Sequence, residues 1–173
     1  MESSPYSWIM TKRTIDESER ALNATLGGLG LDYEAMRAIS NIYLAANAVR
    51  NRVESAILKD VDLTWTAFVV LWVTWIWEEM EATALAAEVR ISKGTLSGVL
   101  GTLDSRGLII RSSRSEDKRK VVVSLSPAGK RMMKKIFPKF NAEETLMLSA
   151  LSSKEVAALA SSLHAVVKQI QNL

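Results

Sequence analysis

TALAAEVRISKGTLSGVLGTLDSRGLIIRSSRSEDKRKVVVSLSPAG, residues 83–129, is the stretch whose reading decides the fold. Its first segment, Thr83 to Val89, suits one short helix. Arg90-Ile91 makes a turn, and Ser92 caps a second helix that reaches about Arg106. Gly107 follows as a C-terminal stop. Leu108 to Arg111 reads as a strand, Ser112 to Lys118 as a polar turn, and Arg119 to Leu125, with Val121, Val122 and Val123, as a second strand. Helix, tight turn, helix and hairpin, in that order, make a winged helix-turn-helix.

Each part has a physical reason. The second helix buries Leu96, Val99, Leu100 and Leu103 on one side and offers Lys93, Gly94, Thr95, Ser97, Gly98 and Thr102 on the other. Those outward residues are short or polar, with no acid among them, which is what entry into a major groove demands. Ser92, Lys93, Thr95, Ser97 and Gly98 are therefore the candidate contacts, with Lys93 suited to a phosphate or a guanine. The capped N-terminus also turns free amides towards phosphate. The hairpin tip, Arg114 to Lys120, holds four basic residues in seven. Such a tip can lay an arginine in the minor groove, where the negative potential is strong. Arg114, Lys118 and Arg119 are its contact candidates, and Asp117 is expected to hold Arg119 or a backbone amide in place. The bland reading of this tip is an ordinary solvated hairpin.

The charge is placed in the same region. The chain of 173 residues carries a net +3, but Arg90 to Lys135 has twelve Lys/Arg against three Asp/Glu, a local +9, and the remainder carries −6. A basic middle between acidic flanks suits a polyanion, since clustered cations release counterions from phosphates. A solvated charged face is the competing reading.

Outward from this stretch the chain reads as helix. In residues 1–30, Trp8, Ile15, Leu22 and Leu29 recur every seven positions and Leu26 joins them, an amphipathic helix wanting a partner. Asp32 caps a long helix to about Leu58 whose stripe is Met36, Ile39, Tyr43, Ala46, Val49, Val53 and Ile57. Thr64 caps an apolar helix from Trp65 to about Trp77, and the charged run Glu78-Glu79-Met80-Glu81 ends it. Ser126-Pro127 opens a helix to about Leu151 that Pro138 should kink or break. Ser152 and Glu155 form a capping box for the last helix, with Val156, Leu159, Leu163, Val166, Val167 and Ile170 as its stripe. The expected fold is mainly α: a winged helix-turn-helix with a two-stranded β-wing over 61–126, a helical dimerisation domain from 31–60 and 127–173, and an N-terminal helical extension over 1–30.

Several classes fall away. With no cysteine, neither a disulfide framework nor a thiol-based redox switch is available. The single histidine, His164, sits in a helical pattern without the serine and carboxylate context of a triad, and is expected to be partly buried. No metal ligand set and no cofactor motif is present, so no enzyme is expected. The most apolar run, Ala67 to Trp77, has 11 residues, too few to span a membrane. The start has no basic region followed by an apolar run, so a cytoplasmic protein is expected.

The sequence resembles the MarR family of regulators. The residues that carry the likeness are Leu85 to Val89, Ile91 to Ser97, Leu103 to Ile109, and the wing pattern Asp117-Lys118-Arg119 followed by Leu125-Ser126-Pro127-Ala128-Gly129. The likeness spans about residues 33–171. It implies a homodimer on a palindromic duplex, with the second short helix in the major groove and the wing arginine in the minor groove. It further implies release by a small aromatic or anionic effector, bound between the dimer helices and the winged domain, where Met36, Tyr43, Trp65, Phe68, Trp72 and Met133 would border the pocket. Plain core is the other reading of these six. Relatives that bind urate use an aspartate, replaced here by apolar residues near Phe68, and a recognition-helix arginine, replaced here by Val99, so urate is not expected. One departure is Arg90, where the family usually has glycine; if the position needs a positive φ, arginine costs about 1 kcal/mol there. The expected function is a DNA-binding regulator, most simply a repressor. The alternative is a ligand-independent architectural or partner-binding winged helix.

Overall fold

The computed structural model describes residues 14–27, 29–113 and 121–173. The chain divides into two units, residues 1–48 and 49–173. Trp8 of the N-terminal stripe and the hairpin tip 114–120, with Arg114, Asp117, Lys118 and Arg119, lie outside the described residues.

In the first unit, α1 (Ile15–Leu26) begins where Thr14 and Glu17 exchange hydrogen bonds, Glu17 Oε2 accepting from the Thr14 amide at 2.8 Å and Thr14 Oγ1 from the Glu17 amide at 3.2 Å. This is a capping box written as Thr-x-x-Glu. Leu22 and Leu29 are exposed. The Tyr33 hydroxyl donates to the Leu26 carbonyl, tying the end of α1 to the start of α2 (Tyr33–Val53). Asp32 caps α2 as its chemistry predicts, accepting from the Ala35 amide at 2.9 Å. On α2, Ile39 and Tyr43 are exposed and Met36 is half-buried.

The second unit holds the core. The spine does not run on as an α-helix to Leu58. It ends at Val53, widens into a π-helical turn, Glu54–Leu58, and tightens into a 3-10 turn, Lys59–Val61. Asp62 then takes a left-handed conformation, φ 50. The apolar period carries on through this change, since Val53, Ile57 and Leu58 are all buried. Thr64 caps α3 (Trp65–Trp77), accepting from the Ala67 amide. As its all-round apolar composition requires, α3 is central, with Ala67, Phe68, Val70, Leu71 and Thr74 buried. Thr74 satisfies its hydroxyl within the helix on the Val70 carbonyl.

The expected hairpin is present as β2 (Ile109–Ser113) and β3 (Val121–Leu125), antiparallel with Arg111 opposite Val123. A strand absent from the sequence reading joins it. β1 (Glu79–Glu81) pairs with the free edge of β3, giving a three-stranded sheet in the order β1-β3-β2. Met80 packs against the core, Glu79 is exposed, and the half-buried Glu81 accepts from the Thr83 hydroxyl at 2.8 Å. Between β1 and β2 lie α4 (Ala82–Val89) and α5 (Lys93–Ser105).

Ser126 caps α6 (Pro127–Met147), with Pro127 at its first turn. Pro138 does not end the helix; it stands on the exposed side, where water can serve the carbonyl its missing N–H leaves. α7 (Ser153–Gln171) carries the expected capping box, and hydrogen bonds from Ser152 hold the Glu155 carboxyl below the ordinary glutamate pKa. No residue of α7 is buried, and His164 is exposed rather than partly buried.

Candidate nucleic-acid interface

The turn between α4 and α5 is a helix end of the Schellman type. Arg90 is left-handed at φ 58, its amide donates to the Ala87 carbonyl, and the Ile91 amide reaches back to Ala86. The positive φ that glycine would take freely is thus imposed on arginine. Two residues on, Ser92 caps α5: its Oγ accepts from the Thr95 amide at 3.0 Å and shares a 2.8 Å hydrogen bond with Thr95 Oγ1. The hydroxyls of Ser92 and Thr95 therefore serve the cap first.

Leu96, Leu100 and Leu103 are buried and fix the roll of α5. At 100° per residue the line opposite them is Gly94, Gly98, Gly101 and Ser105, flanked by Ser97, Thr102 and Thr95. All seven are exposed. A Cβ built on Gly98 or Gly101 meets nothing within 4 Å, and on Gly94 only Ser92 Oγ at 3.8 Å. Gly101 is missing from the candidates read in sequence, although its position three after Gly98 and seven after Gly94 puts it on their line. The one acid of α5, Asp104, is paired with Arg111 of β2 at 3.4 Å. The C-terminal end turns at Gly107, φ 64, with the Leu108 amide bonded to Leu103 O.

Behind α5, the Ser126 junction locks helix, sheet and α6 together. The Ser126 hydroxyl donates to Gly107 O at 2.6 Å and accepts from the Gly129 amide at 3.0 Å, while the Ser126 amide donates to Leu108 O at 3.0 Å. That geometry gives the Leu-Ser-Pro-x-Gly pattern its physical reason.

The family model described as "MarR family" matches residues 63–121, the span from the end of the spine to the start of β3. A regulator of Bacillus subtilis described as the uncharacterized HTH-type transcriptional regulator YwaE is 31% identical over 125 residues, 72% of this chain and 73% of its own length. The chain belongs to the MarR family. It is a DNA-binding transcriptional regulator. Two solved structures share the fold of this MarR-family chain. A variant of MarR from E. coli complexed with operator DNA has TM-score 0.68 and 22% identity, covering 78% of this chain and 96% of that one. NadR in complex with 4-hydroxyphenylacetate has TM-score 0.64 and 20% identity, covering 74% and 90%.

The six effector candidates are placed differently from one another. Phe68 and Met133 are fully buried. Phe68 sits 5.0 Å from the Phe140 ring and 6.1 Å from Trp72, and Trp72 lies 5.8 Å from Phe137, so both join an aromatic core between α3 and α6. Met36 and Tyr43 belong to the first unit. Trp65 lines an open cleft, of about 280 Å³, with Arg50, Glu54, Thr64, Thr66, Val69, Val89 and Ile91. The Glu54 carboxylate there accepts from the Trp65 amide at 3.1 Å. A smaller hollow of about 170 Å³, mostly apolar, lies between the start of α4, α5 and the sheet, with Lys93, Ser97 and Arg111 among its walls. Among the described residues no helix is long and apolar enough to cross a membrane.

Proposed function

We propose that this chain is a repressor that binds a palindromic operator as a homodimer, α5 in the major groove and the tip 114–120 in the neighbouring minor groove. The observation that carries the reading is the outer line of α5. Glycine in a helix interior costs about 0.8–1.0 kcal/mol each relative to alanine. At Gly98 and Gly101 a Cβ meets no described atom within 4 Å, and at Gly94 only Ser92 Oγ at 3.8 Å, so no described neighbour requires these three glycines. A backbone stripped of side chains along its outermost line can approach a groove closely, while Ser97 and Thr102 on its flanks, and Lys93 at the start of the helix, meet base edges or phosphates. Thr95, and Ser92 through its cap, hold the first turn for phosphate. Arg119, with Arg114 and Lys118, supplies the minor-groove and backbone contacts, and Asp117 orients Arg119.

The apolar surface supports the homodimer. Leu159, Leu163, Val167 and Ile170 recur along α7 and are all exposed in the single chain. A helix of 19 residues with no buried side chain is marginal alone and needs a cover. A second copy supplies a matching stripe, and two-fold symmetry matches two half-sites. On this reading 31–60 and 127–173 dimerise, 61–126 bind DNA and 1–30 extend the dimer helices, in a cytoplasmic protein without a catalytic step. A small aromatic acid suits the Trp65 cleft, where Arg50 offers a cation and the indole a stacking face; NadR, a neighbour in fold, is described with 4-hydroxyphenylacetate.

Arg119→Ala tests the wing. Affinity for a duplex selected from random DNA by the wild-type chain should fall roughly tenfold or more, judged by gel-shift titration. Sizing chromatography should still show a dimer. Unchanged affinity removes the wing from the mechanism, and a monomeric wild type removes the dimer.

A further inference from the structure

Arg106, the last residue before the Gly107 turn, does not reach towards the outer line of α5. On the helix wheel it lies beside half-buried Val99. Its guanidinium donates to Val61 O at 2.7 Å through one nitrogen and to Asp62 O through the other. Those two carbonyls end the spine: Val61 closes the 3-10 turn and Asp62 is the left-handed residue after it. Terminal carbonyls of a helix lack intrahelical partners and carry the negative end of its dipole, so a cation there is doubly favoured. A planar guanidinium accepts only a narrow range of directions for two bonds at once, unlike a flexible ammonium. Three buried leucines set the roll of α5, and Ser92 caps its start, but its far end is tied to the spine by this fork.

We propose that Arg106 is a positioning residue for duplex recognition: it fixes the C-terminal end of α5 to the end of the spine and so sets the tilt at which the glycine line meets the groove. The inference rests on the placement of α5 in the major groove. Contacts that discriminate bases tolerate little displacement, whereas phosphate attraction is nearly indifferent to it. Loss of the fork should therefore reduce specific binding and spare non-specific binding.

The test compares the full-length wild type with Arg106→Gln and Arg106→Lys on two probes, the selected duplex and a scrambled duplex of equal length and composition, over a series of NaCl concentrations. Arg106→Gln is expected to weaken the selected duplex by about tenfold or more, with scrambled-duplex affinity and the salt slope unchanged. Arg106→Lys should restore part of the loss, because an ammonium can still donate to one of the two carbonyls. If both probes weaken alike and the salt slope falls by about one, Arg106 touches phosphate and the proposal is wrong. Selected-duplex affinity unaltered in both variants overturns it too. Should urea unfolding show the glutamine variant unfolded, the lysine variant decides alone: a selective loss supports positioning, and no loss refutes it. A wild type that does not prefer the selected duplex would instead sink the groove placement itself.

Discussion

Gly129→Ala should destabilise the protein by about 3 kcal/mol or more, the upper end of what overpacking costs, because the obstacle is backbone. A Cβ at this position would lie 2.1 Å from Leu108 O and 3.1 Å from its carbonyl carbon. Neither partner can retreat cheaply. Leu108 O is held by the Ser126 amide at 3.0 Å, and the Leu108 amide by Leu103 O at 2.9 Å. Leu108 itself is 5% exposed. On the other side, the Gly129 amide is bonded to the Ser126 hydroxyl that also grips Gly107 O. Relief requires moving α6 away from the end of α5, which would loosen the whole junction. For a chain of this size the loss corresponds to a fall in Tm of roughly 6–12 °C, read by thermal unfolding at fixed protein concentration. Ser126→Ala, which removes the cap but no space, should cost less, about 1 kcal/mol. A Gly129→Ala protein that melts with the wild type would show that the junction is not as tight as these distances require.

The second large effect separates binding from folding. Gly98→Asp should abolish specific duplex binding, a loss of roughly a hundredfold or more, because a carboxylate would be pressed against phosphates and base edges from the outermost line of α5. The fold should survive, since Gly98 is exposed and a Cβ built there meets no described atom within 4 Å. Gly98→Ala gives the more diagnostic sign. It should raise stability by about 0.5–1 kcal/mol through helix propensity and yet lower duplex affinity, by about 1–3 kcal/mol if the methyl group enters a packed contact. Urea unfolding and gel-shift titration on the same preparation read both quantities. If stability and affinity rise together, the glycine line is not a contact surface.

Much of this architecture is legible in sequence because helix caps are local chemistry. Asp32, Thr64, Ser92, Ser126 and Ser152 each accept from an amide three residues on, as their side chains dictate. The hairpin strands carry their own β-branched signal. What sequence does not carry is imposed by neighbours. β1 is three residues long without a β-branched side chain, too short for its alternation to stand out, and is a strand because β3 offers an edge. The spine keeps its apolar period through Ile57, so nothing in the pattern marks the π-helical turn. Asp62 and Glu78 take positive φ without being glycine. For the effector candidates, apolar residues at helical spacing cannot be sorted into core and cleft lining by pattern. Packing sorts them, with Phe68 and Met133 inside and Trp65 at an opening. The Trp-Arg character of that opening depends on Arg50, which the apolar stripe of the spine passes over.

The proposed recognition of duplex DNA requires the outward flank of α5 to lie in a major groove. Because the chain has no cysteine, Ser97→Cys introduces a single thiol, nearly isosteric with the hydroxyl it replaces, on the exposed flank beside Gly98. Disulfide trapping against duplexes that carry a tethered thiol on the major-groove edge of one base, walked along the selected site, reads the placement directly. A sharp maximum at one base in each half-site is the expected result. Trapping that is absent or equal at every base, while a thiol placed at exposed Ser149, in the turn after α6, traps as well, would contradict it.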